Sequence, residues 1–266
     1  MALIVLCSAA GSPGVTTSAL GLALTWPRPV LLVEADPTGG SAMFAGYLRA
    51  ESAPLDSPID LALGSRHGQL AEAIAQATMR MPGPPESMVS LLPGTRAHGQ
   101  ARSLLPLWEP LSAELKALEA TGQDVIVDAG RLGLSGSPEP LLYAADLALM
   151  VTRSDLVSLS AARSWAQTLR TGFERVGGAS SLGLLLVGEG KPYSARDVRK
   201  VLQIPVTASL AWDPDAADVF AKGAKAPRKF DSSQLVRSLR AGRTAIQSAV
   251  AANREQLVAH NAGRTT

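Results

Sequence analysis

Lysine is missing where phosphate chemistry would most need it: the first one in this chain of 266 residues is Lys116. Any phosphate site in the N-terminal third must therefore work without a lysine of its own. Cysteine is nearly absent too. Cys7 stands alone, so no disulfide forms within the chain, which fits a reducing compartment. Aromatic residues are 4% of the total, too few for a base-stacking platform. No residue from Met1 to Pro27 is charged. A secretory signal is still not expected, because no positive n-region precedes Leu3. Gly11-Ser12-Pro13-Gly14 breaks the apolar run, and no stretch reaches the ~18 apolar residues of a membrane span. The expected location is the cytoplasm. The net charge is +2, which excludes a polycationic nucleic-acid coat. Hydrophobic residues at 46% and charged residues at 18% suit a folded α/β domain rather than a disordered chain.

Short apolar runs recur along the chain: Leu3 to Cys7, Val30 to Val33, Met88 to Leu92, Val125 to Val127, Leu147 to Val151, Leu182 to Val187 and Val206 to Leu210. Runs that are apolar at every position suit parallel strands buried on both faces. Helical spacing separates them over Thr16–Trp26, Gln69–Thr78, Leu104–Ala120, Leu156–Thr171 and Ala195–Leu202. The alternation predicts an α/β fold: one doubly wound, mostly parallel sheet with helices on both faces. Met81 to Pro85 reads as a stiff turn. Gly133 to Pro140 reads as a loop at the carboxyl edge of the sheet, where ligands bind in such folds. Leu235, Leu239, Ile246, Val250 and Leu257 share one side of a helical wheel, and Arg237, Arg240, Arg243 and Arg254 lie on others. That pattern predicts a C-terminal helix docked on the sheet. Its arginines form either a solvated face or a contact for DNA or membrane. The expected organisation is one unit over 1–230 and a helix over 231–266 packed on it, with a disordered end.

The segment Ala10-Gly11-Ser12-Pro13-Gly14-Val15-Thr16-Thr17 follows the first strand and opens the first helix. The first N–H groups of a helix lack internal partners, and the macrodipole adds positive charge, so this context makes an anion site. Small residues let the backbone approach phosphates. Thr16 stands where a hydroxyl reaches Mg²⁺.

These residues resemble the deviant P-loop of the ParA/MinD family of partitioning and positioning ATPases, including the TadZ/CpaE-type members. Gly11, Gly14, Thr16 and Thr17 match its glycines and threonines. Glu34 to Gly40 resembles the family's switch I segment, so the resemblance gives Asp36 the role of orienting the attacking water. Asp124 to Gly130 resembles the Walker B strand, with Asp128 at the Mg²⁺-associated carboxylate. Ala144-Ala145-Asp146 and the stretch from Ile204 to Asp215 match later family segments in order. The resemblance implies a P-loop NTPase fold and a homodimer with a protein partner. It also implies ATP or ADP with Mg²⁺, contacted by Gly11, Ser12, Gly14, Val15, Thr16 and Thr17, the metal by Thr16, Asp36 and Asp128. Strand-end carboxylates also cap helices or pair locally, an alternative for both aspartates.

The departures concern charge. Val15 replaces the family's P-loop lysine, Ala10 replaces its signature lysine, and Pro13 removes one backbone donor. Gly188 stands where the family has its adenine-side asparagine. Phosphoryl transfer rests on electrostatic stabilisation, so these losses argue against ordinary ATP hydrolysis. The expectation is a degenerate positioning, scaffold or regulatory factor with weak or no ATP binding. One alternative is an ATPase in which an arginine serves the phosphates, Arg131 first and then Arg153. A nonspecific DNA-binding partition protein is the other. Cys7 reads as a buried strand residue, and Trp26, Trp108, Trp165 and Trp212 as core or interface anchors. The helix from Leu156 to Ala166 is a candidate partner surface.

Overall fold

The computed structural model describes residues 2–50 and 58–262, with side chains to residue 256 in the last helix. Its strands are β1 (Leu3–Ser8), β2 (Val30–Glu34), β3 (Met79–Arg80), β4 (Val89–Leu92), β5 (Asp124–Arg131), β6 (Leu147–Arg153), β7 (Leu182–Val187) and β8 (Val206–Leu210). They form one sheet in the order β3-β4-β2-β5-β1-β6-β7-β8, parallel except for the short β3 edge. The doubly wound parallel sheet read from the apolar runs is therefore present. Successive β1 residues feed opposite layers, as a strand's period of two requires. Leu3, Val5 and Cys7 face one core and Ile4 and Leu6 the other.

The helices are α1 (Val15–Leu24), α2 (Pro58–Arg66), α3 (Leu70–Ala77), α4 (Trp108–Ala117), α5 (Glu139–Ala144), α6 (Leu156–Arg175), α7 (Ala195–Leu202), α8 (Pro214–Lys222) and α9 (Gln234–Ala262). Local capping explains several starts. Asp155 accepts from the Ser158 N–H at 2.9 Å and opens α6. Ser194 and Asp197 form a capping box at α7. Asp213 caps α8, with Pro214 in the first turn where its missing N–H costs nothing.

Two sequence expectations need correction. The stretch Gly133 to Pro140 is not all loop, because α5 begins at Glu139 behind Pro138 and carries Pro140 in its first turn. The pattern over Leu104–Ala120 is α-helical only from Trp108 to Ala117; a 3-10 helix over His98–Leu107, with Pro106 inside it, precedes α4. α9 buries Leu235, Leu239, Ile246 and Val250 on the sheet, as their spacing predicts. The side chain of Leu257 and the expected disordered end, residues 263–266, lie outside the described residues.

Strand order sets the site. β1 lies between β5 and β6, and β2 lies beside β5. The register pairs Leu6 with Asp128 and Glu34 with Asp128. The ends of β1, β2 and β5 therefore meet at one edge, and those of β6, β7 and β8 continue it.

Candidate functional site

The loop after β1 turns through two left-handed glycines, Gly11 (φ 67°) and Gly14 (φ 101°), with Ser12 also at positive φ (44°). A Cβ built on Gly11 or Gly14 meets nothing within 4 Å, so the outer side of the loop is open. The N–H groups of Val15, Thr16 and Thr17 open α1 and have no acceptor from a preceding turn. This is the backbone an anion needs. The side chains do not supply the matching charge. Val15 is buried in the core layer with Leu20 and Leu22, Pro13 is buried, and Ala10 offers no cation.

Opposite the loop stand three carboxylates. Asp128 is 2% exposed and accepts the Gly130 N–H at 3.0 Å and a hydrogen bond from Thr16. Burial raises its pKa to about 7, and the charges of Asp36 and Glu34 push it the same way. Asp36 accepts the Thr38 N–H at 2.8 Å. Its carboxyl lies against Gly130 (φ 64°), where a Cβ would fall 2.2 Å from Asp36 Cγ and would have to displace that carboxyl. Glu34 is buried, takes the Ser41 hydroxyl at 2.8 and 2.6 Å and accepts the Gly94 N–H at 3.3 Å. Burial also raises its pKa.

The predicted residues Gly11, Ser12, Gly14, Thr16, Thr17, Asp36 and Asp128 thus share one sheet edge. Thr16 and Asp128 are in direct contact, as a shared metal role would need. Among the described residues, however, no three His, Cys, Asp or Glu side chains are disposed to hold a metal ion together. Arg131 is exposed at the end of β5, paired in register with Ser8, and makes no hydrogen bond or ion pair to the loop. Arg153 does reach the loop: its Nη2 donates to the Ser12 carbonyl at 3.2 Å. Its guanidinium carbon lies 4.5 Å from the centroid of the Trp212 ring. Trp212 is not a core anchor. It is 40% exposed and lines a cleft of about 230 Å³ beside Ser12, Gly14, Thr17 and Leu210. Glu34 and Trp212 were missed as site residues. Glu34 carried a signal, since it closes an apolar strand run two residues before Asp36. Trp212 carried none. Cys7 is fully buried and burial pushes its thiol up to about 12, which fits the inert strand residue expected.

Solved structures share this architecture. The MinC:MinD cell division protein complex of Aquifex aeolicus superposes with a TM-score of 0.69 at 16% identity, covering 92% of this chain and 95% of that one. The septum site-determining protein MinD of Pyrococcus horikoshii, complexed with Mg-ADP, gives 0.67 at 18% identity over 94% and 97%. A ParA family ATPase of Chlorobium tepidum gives 0.67 at 18% over 90% and 98%. The chain therefore has the fold of the MinD and ParA ATPases. No protein-family model matches the sequence, and no curated protein matches it.

Proposed function

We propose that the chain is a catalytically degenerate relative of the MinD and ParA ATPases. It acts as a positioning, scaffold or regulatory factor through dimer and partner contacts, with weak or no ATP binding. The observation that carries this reading is the loop itself. Its backbone is open to a phosphate chain, yet Val15 is turned into the core and Ala10 bears no charge. The residues fit the backbone contacts and the metal side of Mg-ADP or Mg-ATP through Thr16, Asp36 and Asp128. The loop carries no cation of its own for a triphosphate, and Arg153 contacts it at the Ser12 carbonyl.

A surface for protein contact lies at the same edge. Leu156 is 67% exposed and Val157 81%, at the start of α6. Leu156 borders a groove of about 350 Å³ with Leu159, Tyr193 and Val201. One of the MinD neighbours is a complex with MinC, which supports a partner role for this architecture. Replacing both Leu156 and Val157 by Asp is expected to shift the melting temperature by no more than ~3 °C, as substitutions at exposed positions do. The same variant is expected to lose self-association or partner capture in sedimentation velocity, and unchanged association would remove this face from the reading.

Nucleotide binding is tested by thermal unfolding. A ligand at a hundred times its Kd adds ~2.7 kcal/mol of stability. MgATP at millimolar concentration is expected to add far less than that. Robust turnover, lost in Asp36→Ala or Arg153→Ala, would overturn the degenerate reading and support an arginine-served ATPase. Contact with DNA through α9 is less favoured. Arg243 donates to the Thr25 carbonyl, Arg240 to the Asp231 carbonyl at 2.9 Å, and Arg254 pairs with Glu119 and Asp146 at 2.6 and 3.1 Å. Those three arginines are engaged within the fold.

A further inference from the structure

α1 is ten residues long, about 15 Å, so its C-terminal end lies well away from the loop after β1. A cavity of about 630 Å³ opens there. That volume falls inside the ~300–1,000 Å³ of small-molecule sites. Separate stretches of chain wall it: the end of α1, a π-helix over Met43–Tyr47, the segment between β3 and β4, α8, and α9 with the turn before it. The loop after β1, the carboxylates opposite it and the α6 groove contribute nothing to this wall. Its aromatic side chains present carbon to the cavity, because their polar atoms are taken within the fold. Trp26 Nε1 donates to Asp124 at 2.7 Å, and the Tyr47 hydroxyl donates to the Pro82 carbonyl at 3.0 Å. Phe220 and Phe230 pack together with ring centroids 5.4 Å apart. The Thr25 hydroxyl donates to the Gly21 carbonyl at 2.9 Å. An apolar body suits such a wall.

The charge in the wall comes from arginine. Arg243 donates through Nη1 to the Thr25 carbonyl, which fixes its guanidinium beside the cavity. Among the described residues it forms no ion pair, and its Nε and Nη2 make no hydrogen bond. Those two groups form the side edge of the guanidinium fork, which holds a carboxylate by two parallel bonds. Arg240, a turn earlier on α9, also lines the cavity, but Asp231 stands 3.8 Å from it and offsets its charge. Glu86 borders the cavity as well; it is exposed, and solvent screens it. Ser87 in the same wall has a buried hydroxyl with no hydrogen-bond partner among the described residues, a polar group that the fold itself leaves unsatisfied.

We propose that this cavity binds a small organic acid, its apolar body against Trp26, Tyr47, Phe220 and Phe230 and its carboxylate on the free edge of Arg243. The site goes beyond the reading of the chain as a degenerate ATPase and does not depend on it. An aromatic ring system and an acyl chain are two sources of the same chemistry, and the probes tell them apart.

The test titrates naphthoate and octanoate into the full chain by calorimetry. The alcohol corresponding to each acid keeps the body and lacks the charge, and acetate keeps the charge and lacks the body. At least one of the two acids is expected to saturate the chain below millimolar concentration. A preference for naphthoate assigns the cavity to a ring, and a preference for octanoate assigns it to an acyl chain. The matching alcohol and acetate are each expected to bind at least tenfold more weakly, the scale of one charge-assisted hydrogen bond. Arg243→Gln, whose amide can still donate to the Thr25 carbonyl, is expected to weaken the acid at least tenfold and to leave the alcohol unchanged. Phe230→Ala, at a half-buried position, is expected to weaken acid and alcohol alike. A thermal melt of each variant establishes folding. Binding of neither acid at millimolar concentration overturns the proposal. So does an alcohol that binds as tightly as its acid, or an acid that binds equally to the unaltered chain and to folded Arg243→Gln. If Arg243→Gln does not fold, the ratio of acid to alcohol affinity in the unaltered chain decides.

Discussion

Asp128→Asn is expected to stabilise the fold by about 2–4 kcal/mol at pH 8 and by little at pH 4. The sign follows from proton linkage. Asp128 has a folded pKa of about 7 against an ordinary 3.8. Between those values the native state holds a proton that the unfolded chain releases. Stability is therefore full below about pH 4 and falls as pH rises toward 7. Above 7 both states are ionised and the whole cost of burying the charge is present. Asparagine removes the charge and keeps an oxygen for the Gly130 N–H. The size is limited by Thr16, whose hydrogen bond favours the ionised form, and by Glu34, whose pKa is also raised. Urea unfolding at pH 4, 6 and 8 measures the effect. A variant with the same pH slope as the unaltered chain would show that Asp128 is ionised at no cost.

Ala10→Lys combined with Val15→Lys is expected to tighten MgATP at least a hundredfold. One charge-assisted hydrogen bond contributes roughly 1.5–3 kcal/mol, so two supply about 3–6 kcal/mol against phosphate. A cost is set against that gain, because Val15 is 7% exposed and packs in the α1-side core. A lysine there must swing its long stem out of the core toward the open side of the loop, as such side chains do when their head group seeks a polar environment. The net gain is read by titration. Tripolyphosphate is expected to gain equally, because both lysines act on the phosphates. No gain for either ligand would mean that the loop has lost more than its charge.

The fold was largely legible because parallel strands buried on both faces write themselves as unbroken apolar runs. Leu182–Val187 and Val206–Leu210 stand in the structure with the bounds their runs suggest. The turn of the loop was legible for the same local reason, since Gly11 and Gly14 lie in one continuous stretch between β1 and α1. Contacts across the sheet edge were not. Arg153 and Trp212 are separated by two crossovers, and nothing in either neighbourhood encodes that they stack. The burial of Val15 was hidden likewise: the sequence shows which cation is missing, but only packing shows that its replacement has joined the core. α5 escaped notice because Pro138 and Pro140 read as breakers, although proline at a helix start is harmless.

The central place of β1 has a consequence for the order in which the molecule is assembled. Ala2 hydrogen-bonds to Asp124 across 122 positions of sequence, and both strands flanking β1 are encoded far downstream of it. At roughly 5–20 residues per second of synthesis, the first strand waits several seconds or more for either neighbour to emerge. During that interval β1, an uncharged apolar strand, has both edges unpaired. Pairings of this range close slowly because the intervening loop must be ordered first. The loop after β1 is thus made well before the strands that give it its shape.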